Sequence, residues 1–449
     1  MPENQKHAVV VGAGLAGLAA AVDLVDAGHR VTVLEAAPQV GGRTSSWDAD
    51  GMTIESGLHR YLGFYSAMPD LIRHVGKSLN EVVVWEDEIE IIAPDGGPRA
   101  EFGASMVHKP LKSVAEALGN SDFLPMAEKA KLGRMLAAGA KQHLDDPASL
   151  DAITVSDYAR QHGISETTIF RILVPLTEGL FFVPPERYSM HNFMGLMVPY
   201  WDTAALARVG AFSGPMTEVL AEPIAEYIRS RGGTVRTSAP AEQLITDAGE
   251  VTGVRVDGEP LVADAVVLAA SVGPAQELVQ EQLSGVDWFD DFLSLESTPS
   301  VGLQLELSEP LMPKDRATFG PGTVLASFSE QSRTAFRDSR GRVSIICSDP
   351  HTHRETDAWE LVKLAFADAD RLGLDLRNRM LDFRKVVIPS DFYSLAPGNE
   401  AKRPAQRTPV NGLVLAGDYT KQKHLATMEG AVISGQLAAR AALESELAG

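Results

Sequence analysis

The chain has one cysteine, Cys347, in 449 residues. A single thiol excludes an internal disulfide framework and a cysteine-based metal cluster, and it fits a reducing compartment. Basic charge is in deficit: 40 Lys and Arg against 60 Asp and Glu leave a net −20. A surface of that sign repels phosphate, so no nucleic-acid partner is expected. Long apolar runs are missing as well, none approaching the roughly eighteen residues of a membrane-spanning helix. The opening MPENQKHAVVVGAG lacks the charged start and unbroken apolar stretch of a secretory signal. These absences point to a cytoplasmic protein, with peripheral contact at a membrane left open. Metal-spaced ligands, a nucleophilic triad, internal repeats and low-complexity segments are absent too, and no metal site is expected.

What is present is an ordinary globular composition, 45% hydrophobic and 22% charged, in a chain too long for one core. Residues 8–35, AVVVGAGLAGLAAAVDLVDAGHRVTVLE, read as strand, tight turn, helix, turn and strand. Gly12, Gly14 and Gly17 form GxGxxG where helical periodicity begins. Gly12 suits the tight turn, Gly14 the approach of a pyrophosphate, and Gly17 close helix–strand packing. The helix N-terminus, around Leu15 and Ala16, offers free N–H groups and a positive dipole end to the phosphates. Glu35 closes the second strand, where an acid accepting ribose hydroxyl hydrogen bonds should stand. This is a dinucleotide site, for NAD or for FAD.

The next residues separate the two. Gly41-Gly42-Arg43 follows Glu35 closely and resembles the extended FAD fingerprint of the flavin amine oxidase and carotenoid desaturase superfamily. Glu55-Ser56-Gly57-Leu58-His59 resembles the segment near the isoalloxazine in that superfamily. The tail GDYTKQKHLATMEGAVISGQ closely resembles that of plant and cyanobacterial-type phytoene desaturases, and GLHRYLGFYSAMPDLIRHVG and TVSDYARQHGI resemble two further family segments. The resemblance implies an α/β fold: a Rossmann-type, amine oxidase-like FAD-binding domain with a discontinuous α+β substrate domain. It implies FAD contacts at Gly12, Gly14, Leu15, Ala16, Gly17, Glu35, Ala36, Gly42, Arg43, Gly57, Leu58, His59, Ala241, Gly417, Asp418, Met428, Glu429 and Ala431. A helix N-terminus at Met428–Ala431 would stabilise negative charge on reduced flavin.

The FAD-binding domain is expected over 1–105, 213–280 and 405–449. The substrate domain is expected over 106–212, largely helical, and 281–404, an antiparallel sheet interrupted by a helix near 357–372. Thr154 looks like a helix start, and Cys347 like a residue of a buried strand. Phe181, Phe182, Phe193, Met194, Met197, Tyr200 and Trp201 are dense enough to line an apolar tunnel, although ordinary helical core fits any one of them better. Between 104 and 144 six Lys or Arg stand against three acids, beside the apolar stripe Leu132, Met135 and Leu136. Such a helix suits an anionic membrane surface.

The chemistry implied is desaturation of a long isoprenoid, carotenoid-like substrate by hydride loss to flavin N5, with a quinone or oxygen as electron acceptor. The protein's duties are then orientation and water exclusion. Candidate polar participants are His59, Tyr419, His424 and Glu429. One departure stands out: Ser189-Met190-His191-Asn192-Phe193-Met194 lacks the arginine of the family's NRFLQ-like stretch. That keeps a terpenoid or squalene-type redox reaction open beside phytoene desaturation. A flavin amine oxidase and a flavin-holding scaffold without turnover compete with both, and homo-oligomerisation is left open.

Overall fold

The computed structural model describes residues 5–86, 88–103, 122–202 and 208–447. Its centre is a five-stranded parallel sheet. Side by side lie Thr234–Arg236, Arg30–Leu34, His7–Val11, Ala265–Leu268 and Leu413–Leu415. The runs AVVV and AVVL are apolar without alternation because both faces of a parallel sheet are covered. Register pairs Val9 with Thr32 on one side and with Val266 on the other. The first, the middle and the last strands of the chain thus end at one edge, where ligands of open α/β sheets bind.

Helix Leu15–Asp26 covers this sheet and packs against the C-terminal helix Met428–Leu447. The approach is so close that a Cβ on Gly435 would come 2.1 Å from the Ala16 carbonyl oxygen. A three-stranded antiparallel sheet, Gln243–Asp247, Glu250–Val256 and Glu259–Val262, flanks the parallel one.

A second layer is a seven-stranded sheet in the order Met380–Tyr393, Ser297–Leu307, Gly341–Cys347, Leu325–Glu330, Ala317–Phe319, Glu88–Ile92, Arg99–Gly103. All its pairings are antiparallel except that of Ala317–Phe319 with Glu88–Ile92. Leu303, Leu305, Val343 and Ile345 on its buried face form a core with Leu361 and Phe366 of helix Ala358–Arg371. Asp357 caps that helix, accepting from the Trp359 and Glu360 amides at 2.9 and 3.1 Å. Cys347 is buried in its strand. Strands 88–103, counted with the nucleotide part by their place in the sequence, join this sheet instead.

Described residues 126–202 are largely helical. Thr154 opens helix Val155–Gln161, its Oγ1 accepting from the Asp157 amide at 3.1 Å. Helix Val174–Phe181 ends at Phe182, whose φ of 63° turns the chain out of the helix. Of the basic stretch 104–144, residues 104–121 lie outside the described residues; the rest begins helix Met126–Asp145.

Candidate active site

A cavity of about 870 Å³ runs from the carboxyl edge of the parallel sheet to the seven-stranded sheet. At the nucleotide end the GAGLAG turn is shaped by contact. Gly12 has φ 106°, and a Cβ there would come 2.7 Å from the Ala269 carbonyl oxygen. On Gly17 a Cβ would lie 1.9 Å from the Gly12 carbonyl oxygen, so no larger residue fits between turn and helix. Helix Leu15–Asp26 has no side-chain cap at Gly14, and its first amides have no intrahelical acceptor by construction. Gly14, Leu15 and Ala16 line the cavity, so those amides and the dipole offer an anion site. Glu35 also lines it, its carboxylate oriented by the Ala13 and Ala37 amides at 2.8 and 2.9 Å. Two backbone donors leave lone pairs for ribose hydroxyls.

Arg43 ties the two ends of the chain together. Its guanidinium donates to both carboxylate oxygens of Asp418, Nη1 at 3.1 Å and Nη2 by a shorter bond. Asp391 stands 3.8 Å from Nε, and the Phe392 ring lies 5.3 Å from the guanidinium carbon. Burial opposes the charge, but Asp418 and Asp391 outweigh it and hold the Arg43 pKa above its ordinary value. Burial raises the Asp391 pKa, while Arg43 and a hydrogen bond with Ser300 pull it back. All three charged side chains line the cavity, so a cationic clamp with a surplus of acid faces its middle.

Beyond the clamp the walls become apolar. Leu176, Leu180, Phe181 and Phe182 come from one helix and its C-terminal turn, Leu196 and Met197 from the next, and Phe319 and Ile346 from the sheet floor. Polar side chains here are few. His59 is one; its Nδ1 lies 3.3 Å from the Gly57 carbonyl oxygen, and its exposed part faces the cavity. Burial, helped by nearby Arg43, pushes its pKa down to about 4, so the ring is neutral at pH 7.

The sequence pattern described as flavin containing amine oxidoreductase matches residues 15–443. The chain belongs to that family. It is 28% identical over 463 residues to the 15-cis-phytoene desaturase of Solanum lycopersicum, spanning 99% of this chain and 78% of that protein. It is 30% identical over 485 residues to a probable zeta-carotene desaturase of Synechococcus elongatus, spanning 97% of this chain and 98% of the other. Among solved structures, cyclohexylamine oxidase from Brevibacterium oxydans superposes with a TM-score of 0.73 at 18% identity, covering 99% of this chain and 100% of that one. At that identity the likeness carries the fold alone.

This flavin-containing amine oxidoreductase is therefore an FAD-dependent enzyme of α/β fold. Its residues fit that cofactor: an uncapped helix N-terminus, a glycine cradle a Cβ would fill, an oriented Glu35 and the Arg43 clamp. Of the residues expected from sequence to hold FAD, Gly12, Gly14, Leu15, Ala16, Glu35, Ala36, Gly42, Arg43, Gly57, Leu58, His59, Ala241, Gly417, Asp418, Met428 and Ala431 all line the cavity. Gly17 lies behind the turn and acts by packing. Helix Met428–Leu447 points its first turn at the cavity through Met428 and Ala431.

Three polar candidates are placed elsewhere. Glu429 is fully buried at 0% exposure, and its carboxylate accepts from the Ser66 amide and hydroxyl, the Ala67 amide and the Met68 amide at 2.7–2.9 Å. Four donors at the start of helix Ala67–His74 make it a helix cap delivered from another element. Tyr419 is buried behind Gly417, stacked on Phe292 at 5.4 Å, with no partner for its hydroxyl among the described residues. His424 stacks on Phe64 at 5.8 Å, and burial lowers its pKa. Neither lines the cavity.

Asn192, in the stretch lacking the family's arginine, is buried and donates to the Leu395 carbonyl at 3.2 Å, away from the cavity. Of the proposed tunnel residues, Phe181, Phe182 and Met197 reach the cavity while Phe193 and Met194 are core. The side chains of Tyr200 and Trp201 lie outside the described residues.

Sequence reading missed Asp391 and Phe392, where the only local signal is one acid inside a strand. It also missed Arg403, a fully buried side chain. That guanidinium donates to the backbone carbonyls of Asp418, Tyr419 and Thr420 and, at 2.8 Å, to Glu400, and so braces the loop that presents Asp418.

Proposed function

We propose that the protein desaturates a long apolar isoprenoid of carotenoid type. The observation that carries this reading is the continuity of one cavity from the dinucleotide cradle to a wall of Leu176, Leu180, Phe181, Phe182, Met197 and Phe319. A chain lying along those residues would place a carbon–carbon bond beside the Gly57–His59 edge. When bound there, FAD supplies the hydride acceptor for dehydrogenation. The protein's share is to hold the chain by apolar contact, exclude water and keep neutral His59 and the Arg43 clamp fixed around the reacting edge. The carotenoid desaturase relatives support an apolar substrate. Reoxidation by a quinone or by oxygen completes the proposal.

The test is an anaerobic screen of flavin bleaching with phytoene, squalene and primary amines. Bleaching by a polyene supports the proposal; bleaching by amines alone turns it into an amine oxidase, and none by any of them into a flavin-holding scaffold.

The domain division belongs to the same proposal: a nucleotide part of 1–87, 213–280 and 405–449, and a substrate part of 88–212 and 281–404. So does substrate entry from a membrane surface through 104–144. No helix among the described residues is long and apolar enough to cross a membrane. In helix Met126–Asp145, Lys131 and Lys141 are already paired with Glu128 and Asp145, while exposed Arg134 has no such partner among the described residues. Co-flotation with anionic but not neutral vesicles, lost when salt is raised well above physiological strength, is the expected outcome.

A further inference from the structure

Arg60 is a charged side chain in an apolar part of the cavity that the chemistry above does not use. It follows His59 in the chain and lines the cavity together with Leu62 and its strand partner Val209, and with Ala317, two residues from the Arg60 partner Asp315, and its strand partner Ile89. The side chain is only 10% exposed and its one ionic partner among the described residues is Asp315, reached through Nη2. Asp315, itself 2% exposed at the side chain, also accepts from the Thr334 hydroxyl. That arrangement fixes the guanidinium from behind and leaves donors over. Nε is buried without an acceptor, and no acceptor meets Nη1 among the described residues. A planar cation with a buried, idle Nε–H beside a hydrocarbon wall is costly, because that donor has lost its water. A ligand oxygen arriving through the cavity would repair that loss, and the guanidinium geometry suits a carbonyl or a carboxylate.

We propose that Arg60 binds an oxygen acceptor, a carbonyl or carboxylate, carried by an otherwise apolar ligand of this cavity. The assignment rests on the reading of the cavity as an isoprenoid site and narrows it. The ligand is either an isoprenoid with an oxygenated end or a quinone serving as electron acceptor, which offers the same chemistry. Arg60 is a recognition residue here and takes no part in breaking bonds.

The experiment uses the full chain loaded with FAD and reads binding from shifts of the flavin absorption band. Three probes are titrated: geranylgeranoic acid, decylubiquinone and squalene. In Arg60→Gln, affinity for the oxygenated probe relative to squalene falls about tenfold or more, the loss expected for a charge-assisted contact. Arg60→Lys falls less. Loss in the acid arm alone assigns the contact to the substrate's end, loss in the quinone arm alone to the acceptor, and either outcome supports the proposal. Equal weakening of all three probes, or no change in any, overturns it. Arg60→Gln strands Asp315, so the double variant with Asp315→Asn is titrated alongside; a relative loss in the single variant that the double variant lacks also overturns the proposal. A wild-type chain that binds the acid but not squalene overturns the hydrocarbon reading instead. Arg60 is then judged on the acid alone, a tenfold weakening in Arg60→Gln supporting it and unchanged affinity overturning it.

Discussion

Glu55 is a carboxylic acid buried below the flavin-side segment, held by the Gln331 amide at 2.7 Å and the Met216 amide at 3.3 Å. Burial pushes its pKa up to about 7 against the pull of those two donors. Between pH 4.5 and 7 the folded state therefore holds a proton that the unfolded chain has released. The resulting stability is full below pH 4.5 and is lost as pH rises through 7. Relative to Glu55→Gln, which cannot ionise, the wild type should lose up to about 3 kcal/mol of unfolding free energy between about pH 4.5 and 8. Urea unfolding of both proteins across that range measures it, and a difference that does not change with pH rules it out. Glu178, also raised to about 7 by burial, is present in both proteins and cancels. Neither acid could be picked out from sequence: the resemblance of Glu55-Ser56-Gly57-Leu58-His59 marks the segment but gives Glu55 no role of its own, because its partners Gln331 and Met216 lie far along the chain. Gly12, Gly17 and Glu35 were legible because their roles follow from spacing along one continuous unit. Asp391 and Arg60 were not, because each acquires its role from a partner far along the chain, Arg43 in one case and Asp315 in the other.

At the scale of elements the same contrast holds. The strand–turn–helix of 8–35 and the strand–helix of 413–447 are written in local pattern, and so is the helix opened by Asp357. Strands Glu88–Ile92 and Arg99–Gly103 are not, because EIEII and RAEFG take their place only by pairing with each other and with Ala317–Phe319. The interface of the two nucleotide helices gives a sharp test. Gly435 faces the Ala16 carbonyl so closely that a methyl group cannot enter without moving one helix. Gly435→Ala should cost about 1–3 kcal/mol through overpacking, more than the ~1 kcal/mol that Ala returns in helix propensity. It should also weaken FAD binding, since the displaced helix carries Met428 and Ala431. Gly133→Ala is the control: it lies exposed in helix Met126–Asp145 with nothing within 4 Å among the described residues, and it should stabilise by up to ~1 kcal/mol. Thermal unfolding of the two variants should shift in opposite directions, and a shared sign refutes the interpretation.

For the whole molecule, the cofactor site is a closure of the chain on itself. Gly12 and Arg43 stand near one end and Asp418 and Met428 near the other, and 375 residues separate the partners of the Arg43–Asp418 pair. A ligand that bridges both ends binds only when the ends have met, so FAD should act as a fastener as well as a reagent. By linkage, FAD at a hundred times its Kd should raise the unfolding free energy by about 2.7 kcal/mol. Asp418→Asn keeps the shape of the clamp but removes the charge opposite Arg43, leaving Asp391 at 3.8 Å as its one remaining carboxylate among the described residues. At the same FAD concentration a tenfold loss of affinity should about halve the increment, to roughly 1.4 kcal/mol. The comparison is between apo and FAD-loaded forms of both proteins, unfolded in urea. If Asp418→Asn lowers apo stability yet keeps the full FAD increment, the pair fastens the chain without serving the cofactor. If the increment shrinks while the apo forms match, the pair exists for FAD, and the sequence separation of its partners measures how much chain must fold before the flavin can be held.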